Sequence, residues 1–505
     1  MFRRINLVAA ALMALSAAFI GSGAGIAATP TPDYEAIDQY VSRSLAGAPG
    51  VSLAIVHGDQ VVHVKGFGIA DGDRAQVTPD TPFVIGSQTK SFTALAIMQL
   101  SESGSLDLDA PVQRYLLWFR VADPGYSARI TVRHLLNGTS GLPPSAPFDT
   151  AVTSVTQRVR DLATVRLLAP PGQLWAYPNS SYDVLGLVIE AVSGQSYGDY
   201  VEQHIFAPLD MQQSFASESQ AQQHGLAVGH QWWFGLALPV DTYRADYLPD
   251  GYLVSSASDM SHYLTAQLQG GIYNGHRVLS PSGVDQMHAG VVETGRGGSY
   301  GMGWIQETYN GTTFISHDGD SLNMHSDMFL APAPGWGVEL IINSDSLPVL
   351  LTASVEATAK GVVSMLMGSA EPSVVSPMAT YIAFDVVALV IVALQLWSLV
   401  RASRARVSPV RGVTSLLRHV VLPVGWRLAL AVVAIGLIGL QAQLLGASFQ
   451  LIAGTDVGVT LLVIASLSMV NVVVRVARRV SVGRQAPRVV QARTADPSFG
   501  ITVRS

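Results

Sequence analysis

The sequence predicts an α+β body followed by three membrane-spanning helices. Three observations carry that expectation. Strand-like runs stand at both ends of a body of about 340 residues, with helical spacing between them. The composition then changes at a Gly/Pro/Ser stretch around residues 368–377. Beyond it lie three apolar runs, each close to the ~20 residues that cross a bilayer core as a helix.

The chain has 505 residues, 49% apolar and 13% charged, and the apolar excess is concentrated in a few segments. Residues 1–28 begin with Arg3 and Arg4, continue apolar and end in small residues, the layout of a secretory signal peptide cut near Ala27 or Ala28. The apolar part is also long enough for an uncleaved anchor. No cysteine occurs, which excludes disulfides, thiol catalysis and cysteine-ligated metal.

The body, residues 29–367, opens with GVSLAIVHGDQVVHVKGFGIAD (50–71), two strands around a Gly-Asp turn. Helical spacing follows from Ser87 to Leu100, and helices prevail around 134–143 and 182–209. Residues 313–319, 326–332 and 337–344 read as antiparallel strands, and 350–367 as a helix. Terminal strands with helices between them are expected to share one sheet. HQWWFGLALP (230–239) reads equally as a cleft wall or as a core or membrane-facing loop.

The expected spans are 378–400, 428–446 and 457–474, with a basic tail over 475–505. The connection after the first span carries Arg401, Arg404, Arg406, Arg411, Arg418 and Arg427, and the tail opens with Arg475, Arg478 and Arg479. The loop 447–456 has no basic residue. By the positive-inside rule the arginine-rich segments are cytoplasmic and the body lies outside. Asp385, Gln395 and Asn471 fall in or near spans, where polar groups are either functional or used in helix packing; packing is the reading preferred. From Thr29 to Glu371 there are 15 Lys+Arg against 33 Asp+Glu, a balance of −18, so nucleic acid is not an expected partner.

Three groups carry chemistry. The chain has only three lysines, and one of them, Lys90, stands three residues after Ser87 at the head of an apolar helix. Positions i and i+3 share a helix face, burial favours the neutral amine, and a serine needs such a base to attack at neutral pH. Tyr177, Pro178 and Asn179 form the second group, where a phenol drawn toward ionisation by an ammonium shuttles a proton and an amide holds a substrate carbonyl. The third is SHDGD, with His317 and Gly319 on a strand; another His-x-Gly occurs at His288, and only the setting separates the two.

In this order and at these intervals, the groups resemble the serine β-lactamase-like family, which includes penicillin-binding proteins, class C β-lactamases, D-amino-acid peptidases and related esterases. The resemblance covers about residues 35–367, and GMGW (301–304) and LVSSASDMSHYL (253–264) share in it. It implies an antiparallel sheet flanked by helices plus a helical subdomain. It also implies Ser87 as acylated nucleophile, Lys90 as its base, Tyr177 as proton shuttle and Asn179 as substrate-amide contact. The backbone N–H groups of Ser87 and Asp320 would form an oxyanion hole, with His317 and Gly319 beside the substrate. Many members carry a lysine where this chain has His317, and an imidazole is mostly neutral at pH 7, so recognition of a free substrate carboxylate is weakened. That favours an internal amide, an N-acyl-D-amino-acid amide or an ester.

The three C-terminal spans make the chain similar to membrane-bound peptidases that remove an N-acyl-D-asparagine cap from natural-product precursors. By position Asn323 corresponds to an amide contact in such a pocket, whereas Val84 offers no acidic group before the nucleophile. Expected partners are therefore a small peptide, amide or ester and the lipid bilayer. The remaining histidines show no compact metal spacing, and neither metal nor cofactor is assigned. A sensor that captures a ligand without turnover is the main rival, and a transport role for the spans ranks last.

Overall fold

The computed structural model describes residues 32–72, 75–144, 154–295, 297–309, 311–346, 353–374, 376–405, 413–444 and 455–485. The expected signal peptide lies outside them. The first two strands are β1 (Gly50–His57) and β2 (Gln60–Gly68), joined at Gly58 and Asp59 as the hairpin signal predicts. Next come β3 (Phe83–Val84), β4 (His230–Trp233), β5 (Leu236–Pro239) and β6 (Val254–Ser255). They are followed by β7 (Ile272–Tyr273), β8 (His276–Arg277), β9 (Val292–Glu293) and β10 (Ser299–Tyr300). The last are β11 (Ile305–Tyr309), β12 (Thr312–Asp320), β13 (His325–Ala331), β14 (Trp336–Ile342) and β15 (Ser344–Asp345).

Eight strands form one sheet in the order β2-β1-β14-β13-β12-β11-β10-β9, and every pairing in it is antiparallel. The terminal strands thus share a sheet, as expected. β13 and β14 are buried along their whole length, because helices cover both faces. Helices Tyr34–Ser44 and Ser354–Leu366 lie on one face, packing Tyr40, Val41, Val355 and Val362 against Leu53, Val338 and Leu340. The other face packs against the helix Ala257–Leu268, whose Tyr263 stacks on Phe92 of the central helix Thr89–Glu102, and Asn179–Ser193 packs on that helix in turn.

Thr89–Glu102 is buried almost all round, from Thr89 through Met98. A helix apolar on every side belongs in a core rather than on a surface. This burial decides what happens to Lys90.

Three C-terminal helices are long and apolar enough to cross a membrane: Pro377–Arg404, Leu422–Leu440 and Asp456–Ser481. The third packs against both others. All three run past the expected spans: the first and third because flanking polar residues continue each helix, and the second because it starts at Leu422 rather than at 428. Gln395 donates to Ser468 Oγ (3.0 Å) and Asn471 donates to the Gln395 carbonyl (3.1 Å), so both serve helix packing as anticipated.

The body seats on one end of this bundle. Trp232 of β4 stacks on Tyr381 at 5.1 Å between ring centroids, and the Phe234 N–H donates to Asp456 Oδ2 (3.1 Å). The HQWWFGLALP stretch is therefore the β4–β5 hairpin at the head of the helices, with Phe234, Leu236 and Leu238 exposed. Of its two readings, the structure supports the one beside the three long apolar helices.

Candidate active site

The site is assembled at the start of the central helix. Strand β3 pairs with β6, and the Ile85 N–H donates to the Leu253 carbonyl (3.0 Å) while the Leu253 N–H donates to Thr89 Oγ1 (3.2 Å). The chain then makes a tight turn, Gly86–Gln88, before the helix proper. Gly86 has φ +54°, and a Cβ there would lie 2.4 Å from the Asp320 nitrogen. On the opposing edge, a Cβ on Gly319 would lie 2.1 Å from the Ile85 carbonyl oxygen. Two glycines thus let β12 approach the Ser87 turn closely enough to bring the backbone of Asp320 beside it. Ser326 Oγ, on β13, clamps the same turn by donating to the Ile85 carbonyl at 2.9 Å.

Lys90 is 1% exposed, and its ammonium donates to Ser87 Oγ (2.8 Å) and to the Asp250 carbonyl (2.6 Å). Burial pulls its pKa down from 10.5 to about 8, and Arg158 helps, while Asp250, Asp183 and Asp318 oppose. About one molecule in ten then carries a neutral amine at pH 7, compared with about four in ten thousand for a solvated lysine. Gly303 of GMGW packs on the helix from outside: a Cβ there would meet the Lys90 carbonyl oxygen at 2.8 Å.

Tyr177 sits just before the helix Asn179–Ser193, whose cap is Pro178. The Lys90 nitrogen lies 4.9 Å from the Tyr177 ring centroid, and the phenol bonds to Ser87. Its Oη is 3.4 Å from His317 Nε2. His317 Nδ1 lies 2.6 Å from the Asp318 carbonyl, which can only accept, so Nδ1 carries the proton and Nε2 is left to accept from Tyr177. Burial lowers the His317 pKa below 6.5, and Lys90 adds to this against the pull of Asp318. The imidazole is therefore neutral, as expected for this position.

One expectation needs correcting. The phenol of Tyr177 is not drawn toward ionisation: burial, with Asp318, pushes its pKa well above 10, and the hydrogen bond with Ser87 only partly offsets this. In the resting site Tyr177 is a proton donor. Asn179 has a buried Oδ1 with no hydrogen-bond partner among the described residues.

The structure does not bring Asn323 to these residues. Its amide donates to the Val240 carbonyl (2.7 Å), accepts from Ser321 Oγ (3.2 Å) and fills the space beside Gly229, joining the β12–β13 turn to the root of β5. The side chain of Asp320 also turns away, to His325 Nδ1 at 2.5 Å, and His325 Nε2 meets Asp327 Oδ2 at 3.0 Å. Asp345 completes this group, with ligand-type atoms of Asp320, His325 and Asp345 within 4.8 Å of one another. Burial disfavours the His325 cation, but Asp320 and Asp327 outweigh it and raise its pKa well above 6.5. The carboxylates of this group thus hold the His325 cation, and only the backbone of Asp320 faces Ser87.

Sequence reasoning missed the layer beneath Lys90. Arg158 NH2 lies 2.8 Å from Asp183 Oδ2 and 3.4 Å from Asp250 Oδ2, and its guanidinium stacks 3.1 Å from the Tyr247 ring centroid. Burial and Asp250 push the Asp183 carboxyl up, while Arg158 and Lys90 pull it down. Asp183 had a signal, four residues after Asn179 on the same helix face. Arg158 and the Asp250 carbonyl had none. Tyr182 and Tyr300, whose hydroxyls lie 3.3 Å apart, complete the wall around Tyr177.

Fold and site together define a β-lactamase and penicillin-binding-protein type of domain, with serine and lysine one turn apart at the start of a buried helix. The family model described as Beta-lactamase matches residues 37–360, and the chain belongs to that family. Protein flp of Staphylococcus aureus is 29% identical over 333 residues in strain MW2 and 30% identical over 334 residues in strain N315. Each match covers 62% of this chain and 64% of flp, so the chain spans less than two thirds of the length of these relatives. Penicillin-binding protein 4 of Amycolatopsis lactamdurans is 30% identical over 309 residues, covering 58% of this chain and 81% of that protein. Among solved structures, the octameric penicillin-binding protein homologue from Pyrococcus abyssi has a TM-score of 0.60 at 28% identity, covering 67% of this chain and 78% of that one.

Proposed function

We propose that this protein is a membrane-anchored serine hydrolase that forms an acyl-enzyme on Ser87, with its body outside the cytoplasm. The observation that carries the reading is the 2.8 Å contact between a buried Lys90 and Ser87, in a setting that lowers the lysine pKa to about 8. Neutral Lys90 takes the Ser87 proton as Oγ forms its bond to the substrate carbonyl carbon. The N–H groups of Ser87 and Asp320 receive the oxyanion, at the place where Gly86 and Gly319 let the two segments meet. Tyr177 gives its proton to the leaving nitrogen or oxygen as the scissile bond breaks, and recovers one from the Lys90 ammonium. Water then hydrolyses the ester, with Lys90 again as base.

Asn179 Oδ1, left without a partner among the described residues, is the acceptor assigned here to a substrate amide N–H. His317, 1% exposed and neutral, provides no cation for a substrate carboxylate. These two features favour an internal amide of the D-amino-acid or N-acyl-D-amino-acid type, or an ester. The asparagine-cap reading loses the support that Asn323 would have lent it, since that amide is used inside the fold. The three apolar helices support a membrane anchor, and the arginines at their far end favour a cytoplasmic location for that end.

The test treats the detergent-solubilised full chain with a fluorophosphonate or a penicillin and maps the adduct by mass spectrometry. Label on Ser87, absent in Ser87→Ala, is the expected result; label elsewhere overturns the assignment. A Ser87 adduct on the wild type with no turnover of any amide or ester would move the reading to a ligand-capturing sensor.

A further inference from the structure

At the end of the helix bundle away from the body lies a cavity of about 730 Å³ that the hydrolase reading does not use. Its walls include Trp397, Ser398, Arg401, Trp426, Arg427 and Arg475. Three guanidiniums thus converge between apolar helices. Residues 372–505 contain only three carboxylates to neutralise them, Asp385, Asp456 and Asp496. Asp456 is held by Phe234 and Asp385 lies beside Gly235, both at the opposite, body end, and Asp496 is outside the described residues. None of the ion pairs among the described residues involves Arg401, Arg427 or Arg475.

The protein satisfies these arginines only in part. Arg427 donates to the Pro423 carbonyl (2.6 Å) and to Ser398 Oγ, and Arg475 donates to Ser398 Oγ (3.1 Å). Arg427 is 5% exposed, and the Nε atoms of both Arg427 and Arg475 are buried without a hydrogen-bond partner. A buried guanidinium with a spare N–H and no counter-ion is costly unless an anion supplies acceptors. Arg401 stacks over Trp397 at 4.7 Å and Arg427 over Trp426 at 4.4 Å, and both tryptophans are more than half exposed. Exposed tryptophans on membrane helices mark the headgroup level, so the arginines lie at the depth of lipid phosphates.

We propose that this cavity is a binding site for the phosphate of an anionic glycerophospholipid, with the acyl chains lying along the exposed apolar faces of the helices. Planar guanidiniums match phosphate oxygens in pairs, and the lateral opening between helices admits a headgroup that remains attached to its tails. The inference rests on the membrane anchoring proposed above, which is tested separately: a chain that does not sediment with membranes and needs no detergent refutes the anchoring itself.

The experiment delipidates the full chain in a neutral detergent and titrates it with phosphatidylglycerol, with phosphatidylcholine and with inorganic phosphate, reading bound lipid by native mass spectrometry. Wild type is expected to retain phosphatidylglycerol at least about tenfold more tightly than phosphatidylcholine, the order of one charge-assisted hydrogen bond or more. The double variant R427Q/R475Q should lose that preference. Should it fail to fold, R401Q serves instead, because Arg401 is exposed at the rim; R404Q, exposed one turn on and outside the cavity, should bind as wild type. Equal retention of the two lipids, or a preference untouched by R401Q and by the double variant, would overturn the proposal. Displacement of phosphatidylglycerol by millimolar inorganic phosphate would assign the site to a soluble anion and overturn the lipid.

Discussion

The Lys90 Nζ stands 2.8 Å from the Ser87 Oγ and 2.6 Å from the Asp250 carbonyl, inside a helix that excludes water from it. The amine is shared between the group it would activate and a backbone oxygen that holds it in place. Desolvation lowers its pKa to about 8. The base form therefore grows as pH rises toward that value. Acylation of Ser87 is expected to climb roughly tenfold per pH unit below 7 and to level off above about 8. Stopped-flow labelling with a fluorophosphonate checks this. Lys90→Ala should lower the rate by about 10²–10⁴ and abolish that limb, and a variant acylating at the wild-type rate would remove the lysine from the mechanism.

Gly319→Ala tests the contact between β12 and the Ser87 turn. Its Cβ would meet the Ile85 carbonyl oxygen at 2.1 Å, a backbone atom that no rotamer change relieves. The Asp320 N–H is then pushed out of line with that of Ser87, and labelling should slow by about 10²–10³. Gly72→Ala, whose Cβ meets nothing within 4 Å, is expected to be silent in the same assay.

Arg158 is a positioning residue under Lys90. Arg158→Met leaves Asp183 and Asp250 facing each other in the core with only Lys90 as a neighbouring cation, a change worth about 3–5 kcal/mol of stability. It also removes a charge that depresses the Lys90 pKa. The midpoint of the pH–rate profile should therefore move above 8, a displacement that loose packing alone would not produce. Arg158→Lys should restore part of both.

The neutral His317 predicts a preference among substrates. Amides with a blocked C-terminus should be cleaved with kcat/KM about tenfold or more above the same amides bearing a free carboxylate, since a charge-assisted contact is missing for the latter. Matched D-amino-acid amides with and without the terminal block measure it. The opposite ranking would show that another cation receives the carboxylate.

Much of this arrangement is local and therefore legible in the chain. Ser87 and Lys90 lie three residues apart, and one turn of helix fixes their juxtaposition whatever surrounds it. The terminal strands read correctly because their length and flanking turns are encoded within each segment, and the three long apolar helices because a run of about 20 apolar residues is itself the signal. The ends of those helices were less legible, since the polar residues that extend them beyond Val400 and beyond Val474 look like loop in isolation.

The sequence by itself determined the α+β body, the ordered serine, lysine, tyrosine and histidine, and three apolar spans with arginine at one end, because each depends on residues close together in the chain. The tertiary structure alone decided the charge states and the neighbours. A buried Tyr177 keeps its proton, His317 is neutral with its hydrogen on Nδ1, Asn323 is consumed as a joint, and Arg158 lies beneath the lysine. The physical reason is that desolvation and most of these partnerships arise between segments far apart in the chain, 83 residues for Asn323 and Val240, 140 for Tyr177 and His317 and 160 for Lys90 and Asp250, and no spacing along the chain records them.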